Sequence, residues 1–331
     1  MDYERLAAEL VIAVRGSRSQ GALSRRAGYR SNIVRRWERG ACWPTAARFL
    51  ELCALRKLDV ERCYTEYFRR RPGWLDEHDA TSRAAVAAFL RELRGKTPIL
   101  ELARVSGFNR YSVSRWLNGS AEPKLPEFLR LIEASSRRLL DFIATLADPS
   151  LMPSLARAWA ELEQAREAAY SAPWSHAVLR VLELDDAAAS SRDTTWIAQK
   201  LGIARVEVEA SLQMLQRTGQ VRSERGRLRV HQVIDVDTSV DPERARALKQ
   251  VWTRVALDRL EQGAPGLFGY RLFAVSSDGM RRMRELQLEY VRAMQAVLAE
   301  PQQNDCVGLY CAQLIDLQTG RDNAFSREPY T

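Results

Sequence analysis

A stretch of this chain occurs twice, and the repeat limits the folds that are open to it. Residues 97–123 align without a gap with residues 18–44, at an offset of 79 positions. Each copy reads as a short apolar-patterned helix, a turn glycine, a second helix and a Gly/Pro exit, so two helix-turn-helix units in tandem are predicted. The matched pairs are Leu23 with Leu102, Gly28 with Gly107, Val34 with Val113, Trp37 with Trp116, Gly40 with Gly119 and Pro44 with Pro123.

The second helix of the first copy is predicted to have an apolar face and a polar face. Val34 and Trp37 can pack inward with Ile33 beside them, while Gly28 gives the backbone freedom that the preceding turn needs. A helix with an arginine stripe fits the major groove of DNA. The polar stripe has the spacing i, i+3, i+4 and i+7 and consists of Asn32, Arg35, Arg36 and Arg39.

The charge distribution points to a polyanionic partner for the first copy. The net charge is +8, and residues 1–72 contain 16 Lys+Arg against 8 Asp+Glu, so they hold the whole excess. Fifteen of these 16 basic residues are arginine, which contacts phosphate or guanine through two hydrogen bonds. Residues 84–146 contain 10 basic and 6 acidic residues, whereas residues 147–331 contain 23 and 25, a balance that suits a protein-facing role.

The first copy resembles the lambda-repressor and Cro-like (XRE-type) class of helix-turn-helix regulators. The residues that carry the resemblance are Ser19, Gln20, Leu23, Ser24, Gly28, Val34, Trp37, Glu38, Gly40 and Pro44. It implies that Gln20 holds a phosphate and that Ser31, Asn32 and Arg36 read bases. Arg30 stands where the family usually has a capping Ser or Thr, so the start of the second helix is less securely placed. The predicted DNA contacts of this copy are Gln20, Arg25, Arg30, Ser31, Asn32, Arg35, Arg36 and Arg39.

The second copy differs from the first where contacts to DNA are expected. Ile99, Tyr111, Ser114 and Leu117 stand in place of Gln20, Asn32, Arg35 and Glu38. Arg115 matches Arg36, and Asn109 is a good helix cap. The copy either contacts DNA or serves packing and dimerisation, and most of the specificity is expected from the first copy. Its predicted contacts are Asn109, Arg110, Tyr111, Ser114 and Arg115.

The C-terminal half has a different pattern, which resembles a winged helix followed by an uncharacterised domain of a bacterial regulator family, over about residues 170–318. Helices with core positions Ile197, Leu201, Val208, Leu212 and Leu215 precede a two-stranded wing around Gly226. Arg222, Arg225, Arg227 and Arg229 would make a phosphate-contacting wing. Glu207 and Glu209, however, lie in the reading helix and would repel DNA, so a structural or interaction role is favoured. Beyond it, helices are predicted at 242–262 and 278–298 and strands at 267–275 and 305–317.

These patterns predict a mainly α, multidomain chain with tandem helix-turn-helix modules, a winged helix and a small α+β C-terminal domain. The predicted divisions are a first helix-turn-helix domain at 1–72, a linker at 73–83, a second domain at 84–146, a helical connector at 147–172, a winged-helix-like domain at 173–232, an α+β domain for dimerisation or sensing at 233–318 and a tail at 319–331.

Catalysis and cofactor binding find no support in the sequence. There is no Gly-rich phosphate loop and no nucleophile elbow, so an enzyme is not expected, and no cofactor or metal is predicted. The five cysteines form no CxxC pair and only three histidines are present, which favours free thiols. The sequence leaves open whether Cys53 and Cys63 form a redox pair. No apolar run approaches the roughly 18 residues of a membrane span, so a cytoplasmic protein is expected.

The leading hypothesis is a bacterial sequence-specific DNA-binding transcriptional regulator. Double-stranded DNA is the expected partner, and the C-terminal half is expected to form a homodimer or to sense a protein or a small-molecule effector. One alternative is an antitoxin or defence-system protein that represses its own operon and binds a second protein. Another is an enzyme hidden in the C-terminal domain.

Overall fold

The computed structural model describes residues 1–185, 193–224, 227–231, 233–234, 236–298 and 303–318. Within these residues the chain is mostly helical and contains one two-stranded sheet. It divides into two compact units, of which the first covers residues 1–160 and the second begins at residue 161. The predicted mainly α, multidomain class is confirmed.

The first unit consists of two matching sets of five helices. The members of each pair lie at nearly the same place in the 79-residue repeat. The first set is α1 (Tyr3–Arg15), α2 (Gln20–Arg26), α3 (Ile33–Glu38), α4 (Ala46–Leu55) and α5 (Val60–Phe68). The second set is α6 (Arg83–Arg94), α7 (Ile99–Ser106), α8 (Arg110–Leu117), α9 (Leu125–Ser136) and α10 (Leu139–Leu146). Short 3₁₀ helices lie at Gly73–Asp76 and Pro149–Leu151, and α11 (Ala156–Ser171) follows.

Side-chain caps fix where these helices begin. The Asp2 carboxylate accepts from the amides of residues 4 and 5 at 3.1 and 3.0 Å. The Thr45 hydroxyl accepts from the amide of residue 48 at 3.3 Å, and Asp59 accepts from that of residue 62 at 2.9 Å. Each cap satisfies an amide that has no partner inside its own helix, so the polar residue before each apolar run sets the helix start.

One hydrophobic core runs through both sets of helices. Phe89 of α6 is 0% exposed, and its ring centroid lies 4.9 Å from that of Tyr64 in α5 and 5.3 Å from that of Phe142 in α10. Helices of one copy also pack on helices of the other, α1 on α9, α4 on α6 and α5 on α10. The two repeats therefore share a single core.

Residues 73–83, which the sequence suggests as a linker, begin with side chains that pack on this core. Leu75 is buried, and the Trp74 ring meets Tyr64 edge-on with centroids 5.0 Å apart. The Trp74 indole nitrogen donates to Glu92 of α6 at 2.7 Å. The start of this segment is thus held to both copies.

The thiols of Cys53 and Cys63 are buried in the same core. Burial raises the pKa of Cys53 well above its usual value and that of Cys63 to about 11. The Cys63 thiol donates to the carbonyl of Thr145 at 3.1 Å. Because the thiolate is the reactive form, two thiols that stay protonated at neutral pH make a poor redox pair.

The second unit contains a three-helix and two-strand arrangement, in the order predicted for a winged helix. Its elements are α12 (Trp174–Leu182), α13 (Thr194–Leu201), α14 (Arg205–Arg217), β1 (Val221–Glu224) and β2 (Arg227–Val230). The strands are antiparallel, with Val221 opposite Val230. Ile197, Val208, Leu212 and Leu215 are buried in its core as predicted, and Leu201 packs against it half-buried.

Helix α15 (Pro242–Glu261) is tied to α11 by charged and aromatic groups. The Arg244 guanidinium donates two hydrogen bonds to the Glu167 carboxylate at 2.7 and 2.8 Å. These bonds, with one from Ser171, lower the pKa of Glu167 to about 2. The Tyr170 hydroxyl donates to the carbonyl of Thr238 at 2.7 Å, which holds the segment before α15.

The end of the described chain differs from the α+β prediction. Helix α16 (Ser277–Leu298) forms as expected, but residues 264–276 and 303–318 contain neither helix nor strand. A strand requires a hydrogen-bonded neighbour, and the described residues of this chain provide none for these segments. The apolar, aromatic-rich composition of residues 267–275 and 305–317 therefore predicted strands that have no partner among the described residues.

Candidate nucleic-acid interface

Helices α2 and α3 are joined by the tight turn that the sequence predicts. Gly28 has a φ of 83°, which favours glycine, and the amide of Tyr29 donates to the carbonyl of Ser24 at 3.0 Å. The Ser24 hydroxyl is buried and accepts from the amide of Val34 at 3.1 Å. The Tyr29 ring meets Trp37 edge-on, with centroids 5.7 Å apart. These contacts fix the angle between the two helices.

The start of α3 corrects the expectation that Asn32 lies within the helical stripe. Asn32 is the N-cap, and its side-chain oxygen accepts from the amide of Arg35 at 3.3 Å and from the Ser24 hydroxyl at 3.2 Å. Arg30 has no oxygen for capping, and Asn32 caps the helix in its place. In the second copy, Asn109 is the counterpart of Arg30. It caps α8 by accepting from the amide of Tyr111 at 2.8 Å, which confirms the predicted cap.

Gln20 belongs to a polar network that the sequence alone does not indicate. Its side-chain nitrogen donates to Glu38, which also accepts from Arg15. In the second copy, Ile99 and Leu117 replace this Gln–Glu pair, and the guanidinium Nε of Arg94, the counterpart of Arg15, is buried without a hydrogen-bond partner. Gln20 is thus held at the start of α2, and its contact with phosphate stays a prediction.

The face formed by α2, α3 and the turn between them is rich in exposed arginine. In the part of the chain that the structure describes, none of these arginines makes an ion pair with an acidic side chain, whereas Arg5, Arg48 and Arg62 of the same unit do. Ser31 is exposed on this face, which we call the arginine face. Its arginines are Arg25, Arg26, Arg30, Arg35, Arg36 and Arg39.

The corresponding face of the second copy carries less free positive charge. The Arg104 guanidinium donates to Glu101 at 2.9 Å, and Arg110 lies over the Tyr111 ring, 4.8 Å from its centroid. The Tyr111 ring is itself 65% exposed. Ser114 is half-buried and Arg115 is exposed. Within the described residues this face therefore presents an aromatic ring and two arginines without an acidic partner, of which Arg110 lies on that ring.

The winged helix presents mixed charge. Glu207 and Glu209 of α14 are exposed, as predicted, and Arg205 pairs with Glu209 at 2.9 Å. On the wing, Arg222, Arg227 and Arg229 are exposed, with Arg229 3.7 Å from Glu224. Arg225 lies outside the described residues. The structural or interaction role of this winged helix stays a prediction.

The described residues contain no group of three or more His, Cys, Asp and Glu side chains placed to hold a metal ion. Among the helices described, none combines the length and the apolar composition needed to cross a membrane.

Comparison with known proteins gives a family match within the C-terminal half and no activity. No curated protein and no solved structure matches the chain. The likeness of the repeat to lambda-repressor-like regulators therefore stays a prediction that rests on its residues. Residues 155–313, which include the winged helix, α15 and α16, match a family described as "Domain of unknown function (DUF4423)".

Proposed function

We propose that this chain is a bacterial DNA-binding transcriptional regulator of the cytoplasm, without catalytic activity of its own. The observation that carries the proposal is the arginine face, where six exposed arginines surround one helix-turn-helix and pair with no acidic side chain in the described residues. Unpaired guanidinium groups on one face suit a surface whose counter-charges are phosphates. Ser31, Asn32 and Arg36, on and next to α3, are the residues proposed to read bases.

The first test measures the affinity of the full chain for a random-sequence duplex over a salt series. We expect the logarithm of the binding constant to fall linearly with that of salt, with a slope of about −0.9 for each phosphate neutralised. Replacing Arg25 and Arg26 together by Ala should reduce the slope by about 2, because each phosphate contact contributes about 1.

Arg62→Ala is the matched control, since Arg62 is an exposed arginine of the same unit that pairs with Glu66 at 2.7 Å. Its slope should equal that of the wild type. Equal slopes for all three proteins would show that Arg25 and Arg26 contact no phosphate, and would argue against the proposal.

The proposal includes self-association through the C-terminal unit. Tyr270 and Leu272, in a segment that lacks strand partners within the described chain, are 94% and 76% exposed. Exposed apolar side chains on an extended segment favour pairing with another chain. The proposed partner is another molecule of the same chain, since a homodimer would cover the same segment in both protomers.

Sedimentation of the full chain at micromolar concentration tests the dimer. We expect a dimer for the wild type and a monomer when Tyr270 and Leu272 are both replaced by Asp, because burying the charges in the interface is costly. Leu151→Asp is the control, since Leu151 is 78% exposed in the first unit. A wild-type monomer would contradict self-association, and a stable complex of that monomer with a different protein would favour the interaction-protein alternative.

A further inference from the structure

The chain segments that follow α3 and α8 pair with each other inside the first unit. The amide of Ala46 donates to the carbonyl of Pro123 at 2.9 Å, and the amide of Leu125 donates to the carbonyl of Pro44, also at 2.9 Å. The 79-residue offset places Pro44 on Pro123 and Ala46 on Leu125. Each of these hydrogen bonds is therefore the image of the other.

A reciprocal contact of this kind is characteristic of a two-fold arrangement, in which the same two surfaces meet from both sides. The bridge between Thr45 and Lys124 lies at its centre. The helices follow the same rule, because α1 packs on α9 as α6 packs on α4, and α5 packs on its own counterpart α10. The two copies are thus related by a pseudo-two-fold axis.

Both predicted recognition helices end at the same chain distance from this axis. Helix α3 ends at Glu38, seven residues before Thr45, and α8 ends at Leu117, seven residues before Lys124. Seven residues of extended chain reach about 25 Å at most. Two-fold related helices that enter successive turns of the major groove lie about 34–36 Å apart, or about 17 Å each from the axis. The connections are long enough for that spacing.

We infer that a single chain binds DNA through the first unit as an internal pseudo-dimer and recognises an inverted repeat with two unequal halves. The inference rests on the proposed function, because it requires α3 and α8 to enter the groove. Exposed Arg36 and Arg115 occupy equivalent positions and give the halves one base preference in common. Asn32 in one copy and Tyr111 in the other make the remaining preferences differ.

Selection from a duplex library with about 30 randomised base pairs tests the inference on the full chain. The enriched motif is expected to have two inverted halves with centres about 10 base pairs, or a multiple of that, apart. Arg36→Ala should weaken the preference at one position of one half by about 5- to 150-fold, and Arg115→Ala should do so in the other half only. Arg62→Ala should leave the motif unchanged.

The two arginine variants also distinguish an internal pseudo-dimer from two chains that each contribute α3. In that second arrangement the two halves of the DNA motif are equal, and Arg36→Ala relaxes the base preference in both halves. This result would overturn the inference. A direct repeat or a single half-site would overturn it as well, while leaving DNA recognition in place. If the folded wild type enriches no sequence at all, the proposed function fails together with the inference.

Discussion

Phe89→Ala is expected to lower the free energy of unfolding of the first unit by about 3–5 kcal/mol. The Phe89 ring lies among aromatic rings of both copies, with centroids at 5.7 Å from Tyr67 and 5.8 Å from Phe128, besides Tyr64 and Phe142. Its removal leaves a cavity between the copies that neither can fill by moving alone, since α5, α6, α9 and α10 hold one another in place.

Hydrogen exchange at the amides of α3 and α8 is the decisive measurement, because it reports the two copies separately. Although the substitution lies in the second copy, exchange should accelerate in both helices. Phe89→Leu retains most of the volume and should cost less than about 1.5 kcal/mol. Faster exchange in α8 with unchanged protection of α3 would show that the copies are stabilised independently, contrary to a shared core.

Arg36→Ala is expected to weaken binding to a selected duplex by about 1–3 kcal/mol, with a smaller effect on a scrambled duplex. Arg36 is exposed in the last turn of α3 and makes no ion pair within the described residues, so its fork of donors is available to a guanine edge. Arg115→Ala should have the smaller effect, because Ser114 replaces Arg35 beside it and fewer polar groups position α8 on DNA.

Titration of both variants against both duplexes separates base reading from simple attraction to phosphate. If Arg36→Ala loses the same free energy on the selected and the scrambled duplex, Arg36 contacts only the backbone. If Arg115→Ala equals Arg36→Ala on the selected duplex, both copies read bases to the same extent, and the expected inequality is wrong.

Asn32 needs a different substitution, because its oxygen caps α3. Asn32→Ala would remove the cap as well as any base contact, at a cost of about 0.5–2 kcal/mol in stability. Asn32→Ser replaces the whole carboxamide by a hydroxyl, so it keeps an oxygen that can cap the helix and removes the amide group that would contact a base. We therefore expect Asn32→Ser to bind the selected duplex more weakly while its thermal stability is unchanged. That loss of affinity measures how much Asn32 contributes to base reading.

Local patterns predicted most of the helices in this chain. Apolar residues at helical spacing and polar caps such as Thr45 and Asp59 act within a few residues, so helices α1, α4 and α5 follow from the sequence. The start of α3 did not follow from the sequence. Arg30 stands where the family usually has a capping Ser or Thr, but it has no oxygen that could cap a helix. Asn32 does this instead, with help from Ser24 across the turn.

Contacts between distant residues were not accessible from local patterns. Gln20 meets Glu38 only after the turn has folded, and Pro44 lies 79 positions from Pro123. The repeat showed that two copies exist, but a repeat is equally compatible with two separate modules and with two that share a core. Residues 267–275 are rich in aromatic and aliphatic side chains, which favours a strand, yet a strand also requires a neighbouring strand that the described residues do not supply.

The shared core also determines when the first copy can become stable during synthesis. Its helices α1 and α5 pack on α9 and α10, which lie in the later copy. The ribosome must add 74 residues between Pro72 and Leu146 before those partners exist, which takes about 4–15 s at the usual rate of about 5–20 residues per second. Throughout that interval the nascent first copy exposes Tyr64 and Tyr67, so premature termination within the second copy would release a chain suited to chaperone capture rather than to binding DNA.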